Sequence, residues 1–178
     1  MASESSASVA STRRGFLRLG RRTAESAQRP PWAIDEVHFV DRCTRCERCI
    51  EVCPTKILIR VDGGFPGVDF SRGECTFCGD CVRSCEPQAL SRHPLDAAPW
   101  ALVAGIGAAC LAARGVECRV CGETCPEGAI RFRPQLGGVA RPLLDETACT
   151  GCGACIGPCP TKAIAMQADN NIPTEREP

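Results

Sequence analysis

Cysteine spacing constrains this chain more than any other feature. Its 178 residues hold 16 cysteines, gathered in four runs. The first run is CTRCERCIEVCP, with Cys43, Cys46, Cys49 and Cys53 followed by Pro54. The second is CTFCGDCVRSCEP, with Cys75, Cys78, Cys81 and Cys85, and with Pro87 one place later. The last is CTGCGACIGPCP, with Cys149, Cys152, Cys155 and Cys159 before Pro160. All three follow C-x2-C-x2-C-x3-C. That is the ligand run of paired [4Fe–4S] sites, in which the fourth cysteine serves the other cluster.

The spacing has a physical reason. Three thiolates two residues apart wrap one face of a cubane. Small residues such as Gly151, Gly153 and Ala154 let the backbone come close enough for its N–H groups to point at the sulfurs. The longer gap starts a helical turn that carries the fourth cysteine away, and proline then fixes φ and redirects the chain. Zinc sites instead pair two C-x2-C units across a longer gap. Cysteines this close in one turn cannot all form disulfides without strain.

The remaining run, CLAARGVECRVCGETCP, is irregular, with Cys110, Cys118, Cys121, Cys125 and Pro126. Aligned on its last three cysteines, its first ligand falls on Gly115, and Cys110 lies five residues earlier. Either Cys110 folds back and completes a fourth [4Fe–4S] site, or the site is defective and holds three irons or none. Four clusters are expected, or three if this site is empty.

The runs form two similar halves. KILIRVDGGFPGVDFSRGEC joins the first two, and AIRFRPQLGGVARPLLDETAC joins the last two. Both read as strand, turn at Gly63-Gly64 or Gly137-Gly138, and strand. Ile57, Ile59 and Val61 alternate in the first, as do Ile130 and Phe132 in the second. The cysteine runs carry short helical segments. The expected fold class is α+β: two tandem bacterial two-cluster ferredoxin-like units with little conventional core. Cross-ligation groups Cys43, Cys46, Cys49 and Cys85; Cys53, Cys75, Cys78 and Cys81; Cys125, Cys149, Cys152 and Cys155; and Cys110, Cys118, Cys121 and Cys159.

The expected division is 1–31 as a basic flexible segment, 32–90 as the first unit and 91–117 as a linker with a helix. The second unit then covers 118–167, taking Cys110 from the linker, and 168–178 is a flexible tail. The longest apolar run, Ala101–Ala113, is too short to span a bilayer and reads as a buried helix. It leaves a peripheral membrane association open.

Net charge is zero, so no nucleic acid is expected as a partner. Aromatics are 4% with no Tyr, so metal must supply cohesion that a core would otherwise give. No phosphate loop or dinucleotide fingerprint is present, and no catalytic residues are assigned. His38 and His93 read as surface or packing residues, and Trp32 and Trp100 as packing beside the halves. Arg42, Arg45, Arg48, Glu47 and Glu51 crowd the first run, whereas the last has no charge between its cysteines.

Near the start, STRRGFLRLG opens like a twin-arginine export signal. The apolar run that should follow is broken by Arg21, Arg22, Glu25 and Arg29. The segment reads either as a non-functional mimic or as a basic tail. Neither exports the chain.

In order along the sequence, RRGFLR, RPPWAIDEVHFVDRCTRCERCI, GVDFSRGECTFCGDC, ACLAARGVECRVCGETCPEGAIRFRP and CTGCGACIGPCPTKAI resemble the NapF family. These are ferredoxin-type accessory proteins of the periplasmic nitrate reductase system. The resemblance covers about Arg13 to Ala165, and the early Cys110 is its most specific part. It implies a cytoplasmic protein that meets the precursor of the nitrate reductase catalytic subunit before export. There it would assist maturation, by electron or cluster delivery, and Arg13-Arg14 would imitate the partner's own signal. Two alternatives are an electron-transfer subunit of a membrane-associated quinol or nitrate oxidoreductase chain, and a cluster scaffold.

Overall fold

The computed structural model describes residues 28–93, 95 and 97–168. Arg13-Arg14 and the end of the chain after Ala168 lie outside the described residues. Each half is assembled from one hairpin, short helices or turns on its cysteine runs, and a closing pairing that is a single bridge in the first half and two strands in the second.

In the first half, helix α1 (Glu36–Arg42) begins at Asp35, whose carboxylate accepts the His38 backbone N–H at 3.2 Å. Glu36 in its first turn and Arg42 in its last suit the helix dipole. Its one buried side chain, Phe39, is fully enclosed. Helix α2 (Arg48–Glu51) follows, then strands β1 (Leu58–Arg60) and β2 (Pro66–Val68), then helix α3 (Asp80–Arg83). The strands pair antiparallel from Leu58↔Val68 to Arg60↔Pro66. Gly63, at φ 71°, makes the expected turn between them. The alternation read along β1 is shifted: Ile57 and Leu58 are buried, while Ile59 is half-buried. An Ala33↔Leu90 bridge closes this half.

The second half repeats the plan. Strand β3 (Leu102–Ile106), helix α4 (Val120–Glu123), strands β4 (Ile130–Gln135) and β5 (Gly138–Leu144), and strand β6 (Ile164–Ala168) follow in order. β4 and β5 pair from Ile130↔Leu144 to Gln135↔Gly138. β3 and β6 pair from Leu102↔Ala168 to Ile106↔Ile164, in the place of the bridge in the first half. The first-half equivalence extends to single hydrogen bonds. Asp69 N–H donates to Ile57 O and Asp145 N–H to Ala129 O, both at 2.8 Å.

The apolar run expected as a helix is corrected here. Leu102–Ile106 is a strand, and only Ala112–Arg114 forms a 3-10 turn. Gly105 and Gly107 weaken a helix, and β6 supplies a partner for every backbone group that β3 presents to it. Val103 and Ala104 are buried at 1% exposure, so the run is apolar because it is core. The last cysteine run also differs from the helical expectation, since it closes with turns rather than a helix.

Both cores are small and contain cysteine. One holds Phe39, Ile57, Leu58, Phe65 and Leu90 with Cys53 and Cys81. The other holds Ala104, Ile130 and Ile164 with Cys121 and Cys155. Cations cover the aromatic edge of the first: Arg29 lies 4.8 Å from the Phe39 ring centre, and Arg45 lies 4.3 Å from that of Phe65. Among the described residues, no helix is long and apolar enough to cross a membrane.

Candidate metal centres

Four cavities are walled by cysteines. Cys43, Cys46, Cys49 and Cys85 line one of about 410 Å³, mouth included. Cys53, Cys75, Cys78 and Cys81 line a second of about 340 Å³. Cys125, Cys149, Cys152 and Cys155 line a third of about 310 Å³. Cys110, Cys118, Cys121 and Cys159 line the last, of about 350 Å³. Each set draws on two separate runs, because one helical turn or tight turn separates the last two cysteines of a run.

The irregular run reaches its cavity by a loop hung on β3. Gly107 N–H donates to Ala163 O at 2.7 Å, beside the Cys159 run. The five extra residues are then taken up by the 3-10 turn, closed by Gly115 at φ 83°. Gly115, the position where a regular run would have its first cysteine, thus ends a turn and faces solvent. Cys110 is brought back beside Cys118 and Cys121.

Backbone conformation around the thiols is unusual. In the three regular runs, both residues flanking the second cysteine are left-handed: Arg45 and Glu47, Phe77 and Gly79, Gly151 and Gly153. Three residues past the last cysteine of every run, Lys56, Gln88, Gly128 and Lys162 are left-handed too. Successive N–H groups in such a turn form an anion-binding concavity, a device of many iron–sulfur sites. Some of these N–H groups already meet sulfur: Leu90 N–H donates to Cys85 Sγ at 3.4 Å, and Ala163 N–H to Cys159 Sγ at 3.3 Å. The sequence reading saw Gly151 and Gly153 but missed their non-glycine equivalents. Superposing the three regular runs on the glycines of the last would have found them.

The thiol of the third cysteine in each run is raised by burial. Burial, then the neighbouring thiols Cys43, Cys85 and Cys46, pushes Cys49 up to about 11. Cys121 rises to about 11 through burial and then the nearby Cys110 and Cys118. Cys81 and Cys155 rise to about 12, again chiefly by burial. A buried thiolate therefore requires a cation in the cavity to be stable. Among the described residues, no three His, Cys, Asp or Glu side chains converge tightly enough for a single metal ion. Four soft thiols spread around a hollow suit a larger iron–sulfur body rather than one zinc ion. The donor set fits the expected group.

His38 is engaged by Asp35, its Nδ1 2.7 Å from Oδ2, and exposed His93 lines none of these cavities. Charges crowding the first run form ion pairs, Arg48 with Glu86 and Arg60 with Glu47. Trp32 donates to Ala97 O at 2.9 Å, and Trp100 to Thr150 O at 3.3 Å.

Comparison with known proteins agrees with this geometry. Residues 42–90 and residues 115–163 each match a family model described as a 4Fe-4S dicluster domain. The chain is 44% identical over 159 residues to ferredoxin-type protein NapF of Escherichia coli, covering 89% of this chain and 96% of that protein. It is 50% identical over 138 residues to ferredoxin-type protein NapF of Haemophilus influenzae, covering 78% of this chain and 77% of that one. Ferredoxin-type protein NapG of Escherichia coli is 32% identical over 173 residues, with 85% and 75% covered. Two dicluster domains make [4Fe–4S] clusters, up to four, the cofactors of an iron–sulfur electron-transfer or accessory protein. With such identity maintained over most of its length, the chain belongs to the NapF family of ferredoxin-type proteins.

Proposed function

We propose that each of the four cavities holds one [4Fe–4S] cluster on its own four thiols, Cys110 included. Bound clusters supply one-electron transfer. The chain's residues hold them, shield them from water and aim N–H groups at their sulfurs. The observation that supports this most is the meeting of four cysteines from two runs at each of four cavities. In this reading the units are 32–90 and 118–167, the second completed by Cys110 and by β3 from the stretch 91–117.

Anaerobically purified protein is expected to hold about 16 irons and as many sulfides per chain. Cys110→Ala, which leaves no donor atom, should lower both to about 12. Unchanged content in that variant would remove Cys110 from the ligands, and zinc in place of iron and sulfide would overturn the whole reading.

We further propose that the chain is no enzyme and acts in the cytoplasm. It meets the precursor of the periplasmic nitrate reductase catalytic subunit and delivers electrons or a cluster before export. Membership of the NapF family supports this. Cells lacking the protein should mature less active nitrate reductase, with rescue by the native chain and not by a variant without cysteines. The precursor should be captured by the tagged chain. Normal nitrate reductase without the protein would sink the maturation role. Lasting copurification with a membrane complex would favour the electron-transfer subunit instead.

A further inference from the structure

This inference rests on the cluster reading above and concerns the order of the sites. Within each half the two cavities are neighbours by construction. The first run sends Cys49 to one cavity and Cys53 to the other, and the second run sends Cys85 and Cys81 back. The other half repeats the exchange with Cys121 and Cys125, and with Cys159 and Cys155.

A distinct seam joins the halves. Cys75 N–H, from the second cavity, donates to Cys152 O, from the Cys125 cavity, at 2.8 Å. Trp100, 8% exposed, packs edge-on against Phe70 and Phe77, with ring centres 5.5 and 6.0 Å away. Its indole N–H donates to Thr150 O, in the last cysteine run, at 3.3 Å. The approach is closest at two left-handed glycines. A Cβ on Gly151 would lie 2.5 Å from Leu102 O, and one on Gly153 would lie 2.0 Å from Phe70 Cδ1. Neither contact leaves room for a side chain.

We infer that this seam sets the four sites in single file: the Cys43 site, the Cys53 site, the Cys125 site and the Cys110 site. Phe70, Trp100, Gly151 and Gly153 are positioning residues for the junction between the halves. They hold the two inner sites against one another, and the site with the irregular ligand lies at one end of the file.

Magnetic coupling between reduced clusters tests the order, because dipolar coupling falls with the cube of distance. Cys46→Ala with Cys118→Ala removes one ligand from each outer site and should leave about 8 irons. The two remaining spins should broaden one another in the reduced EPR spectrum. Adding Trp100→Ala, outside every cysteine run, should weaken that broadening with iron retained, and Trp100→Phe, which keeps a ring against Phe70 and Phe77, should preserve it. Two independent signals before Trp100 is changed, or coupling indifferent to Trp100→Ala, would overturn the inferred order. Should the outer-site variant fail to load, Trp100→Ala in the full chain gives the same answer. There, coupling inside each half should persist while coupling between halves weakens; retention of both overturns the order. Native protein without iron and sulfide sinks the cluster reading itself, a separate outcome.

Discussion

Lys56, Gln88 and Lys162 hold φ of 55°, 56° and 50°, values that L-residues adopt at a cost. Each donates its N–H to the carbonyl of the cysteine three residues before it, at 3.1 to 3.3 Å. Gly128 does the same after Cys125, at φ 59°. The turn is thus set by the cysteine and the cavity, and the residue at its left-handed corner is secondary. This explains an uneven legibility. Thiol spacing is written in the sequence, but three of the four left-handed corners carry side chains and give no glycine signal. Lys162 is exposed, so its side chain has little to lose. Lys162→Gly relieves about 1–2 kcal/mol of backbone strain and costs about 0.5–1 kcal/mol in chain entropy. The expected result is a gain of up to about 1.5 kcal/mol, read as a higher denaturant midpoint of the iron–sulfur absorbance under anaerobic conditions. Gly128→Val should move it the other way. A lower midpoint for Lys162→Gly would mean that the lysine side chain stabilises the turn.

Elements among the described residues are short, and side-chain turns fix the loops that lead from the hairpins into the cysteine runs. The loop from β2 to the second run turns at Asp69, whose carboxylate accepts Ser71 N–H at 3.0 Å and Ser71 Oγ–H at 2.6 Å. The loop from β5 to the last run turns at Asp145, which accepts Thr147 N–H at 3.2 Å and Thr147 Oγ–H at 2.7 Å. Hydrogen bonds, chiefly from the Ser71 and Thr147 hydroxyls, hold both carboxyls below the ordinary range. Asp69→Ala should cost about 1 kcal/mol, one net hydrogen bond, and should loosen the approach to Cys75. Asp69→Asn keeps an acceptor and should cost less. The comparison is read from the rate of iron loss to a chelator; equal rates in the two variants would show that the turn does not depend on the acceptor. The Asp-x-Ser and Asp-x-Thr patterns are visible in the sequence, as were both Gly-Gly hairpins. The strand at Leu102–Ile106 was not. A short apolar run has no period of its own, and its partner at Ile164–Ala168 lies far along the chain.

At the scale of the whole molecule, the thiols stand where other small proteins place aliphatic side chains. Cys53 and Cys81 are part of the first core, and Cys121 and Cys155 part of the second. Without iron, each half must keep eight cysteines around two hollows, and the contacts that filled cavities would supply are missing. Folding and cluster binding should therefore be one event, as in other small metal-dependent domains. The halves are not equal in this respect. Phe39, Phe65, Ile57, Leu58 and Leu90 support the first, whereas Ile130 and Ile164 are the largest aliphatic residues in the second core. Removing iron anaerobically with a chelator should then abolish cooperative melting, and the second half should lose its order first. Backbone amide signals of β3 and β6 should collapse at lower chelator doses than those of α1 and β1. Simultaneous loss would mean that the seam at Cys75 and Cys152 makes the two halves one cooperative unit. An apo chain that melts at the native midpoint would mean that apolar packing alone sustains the fold.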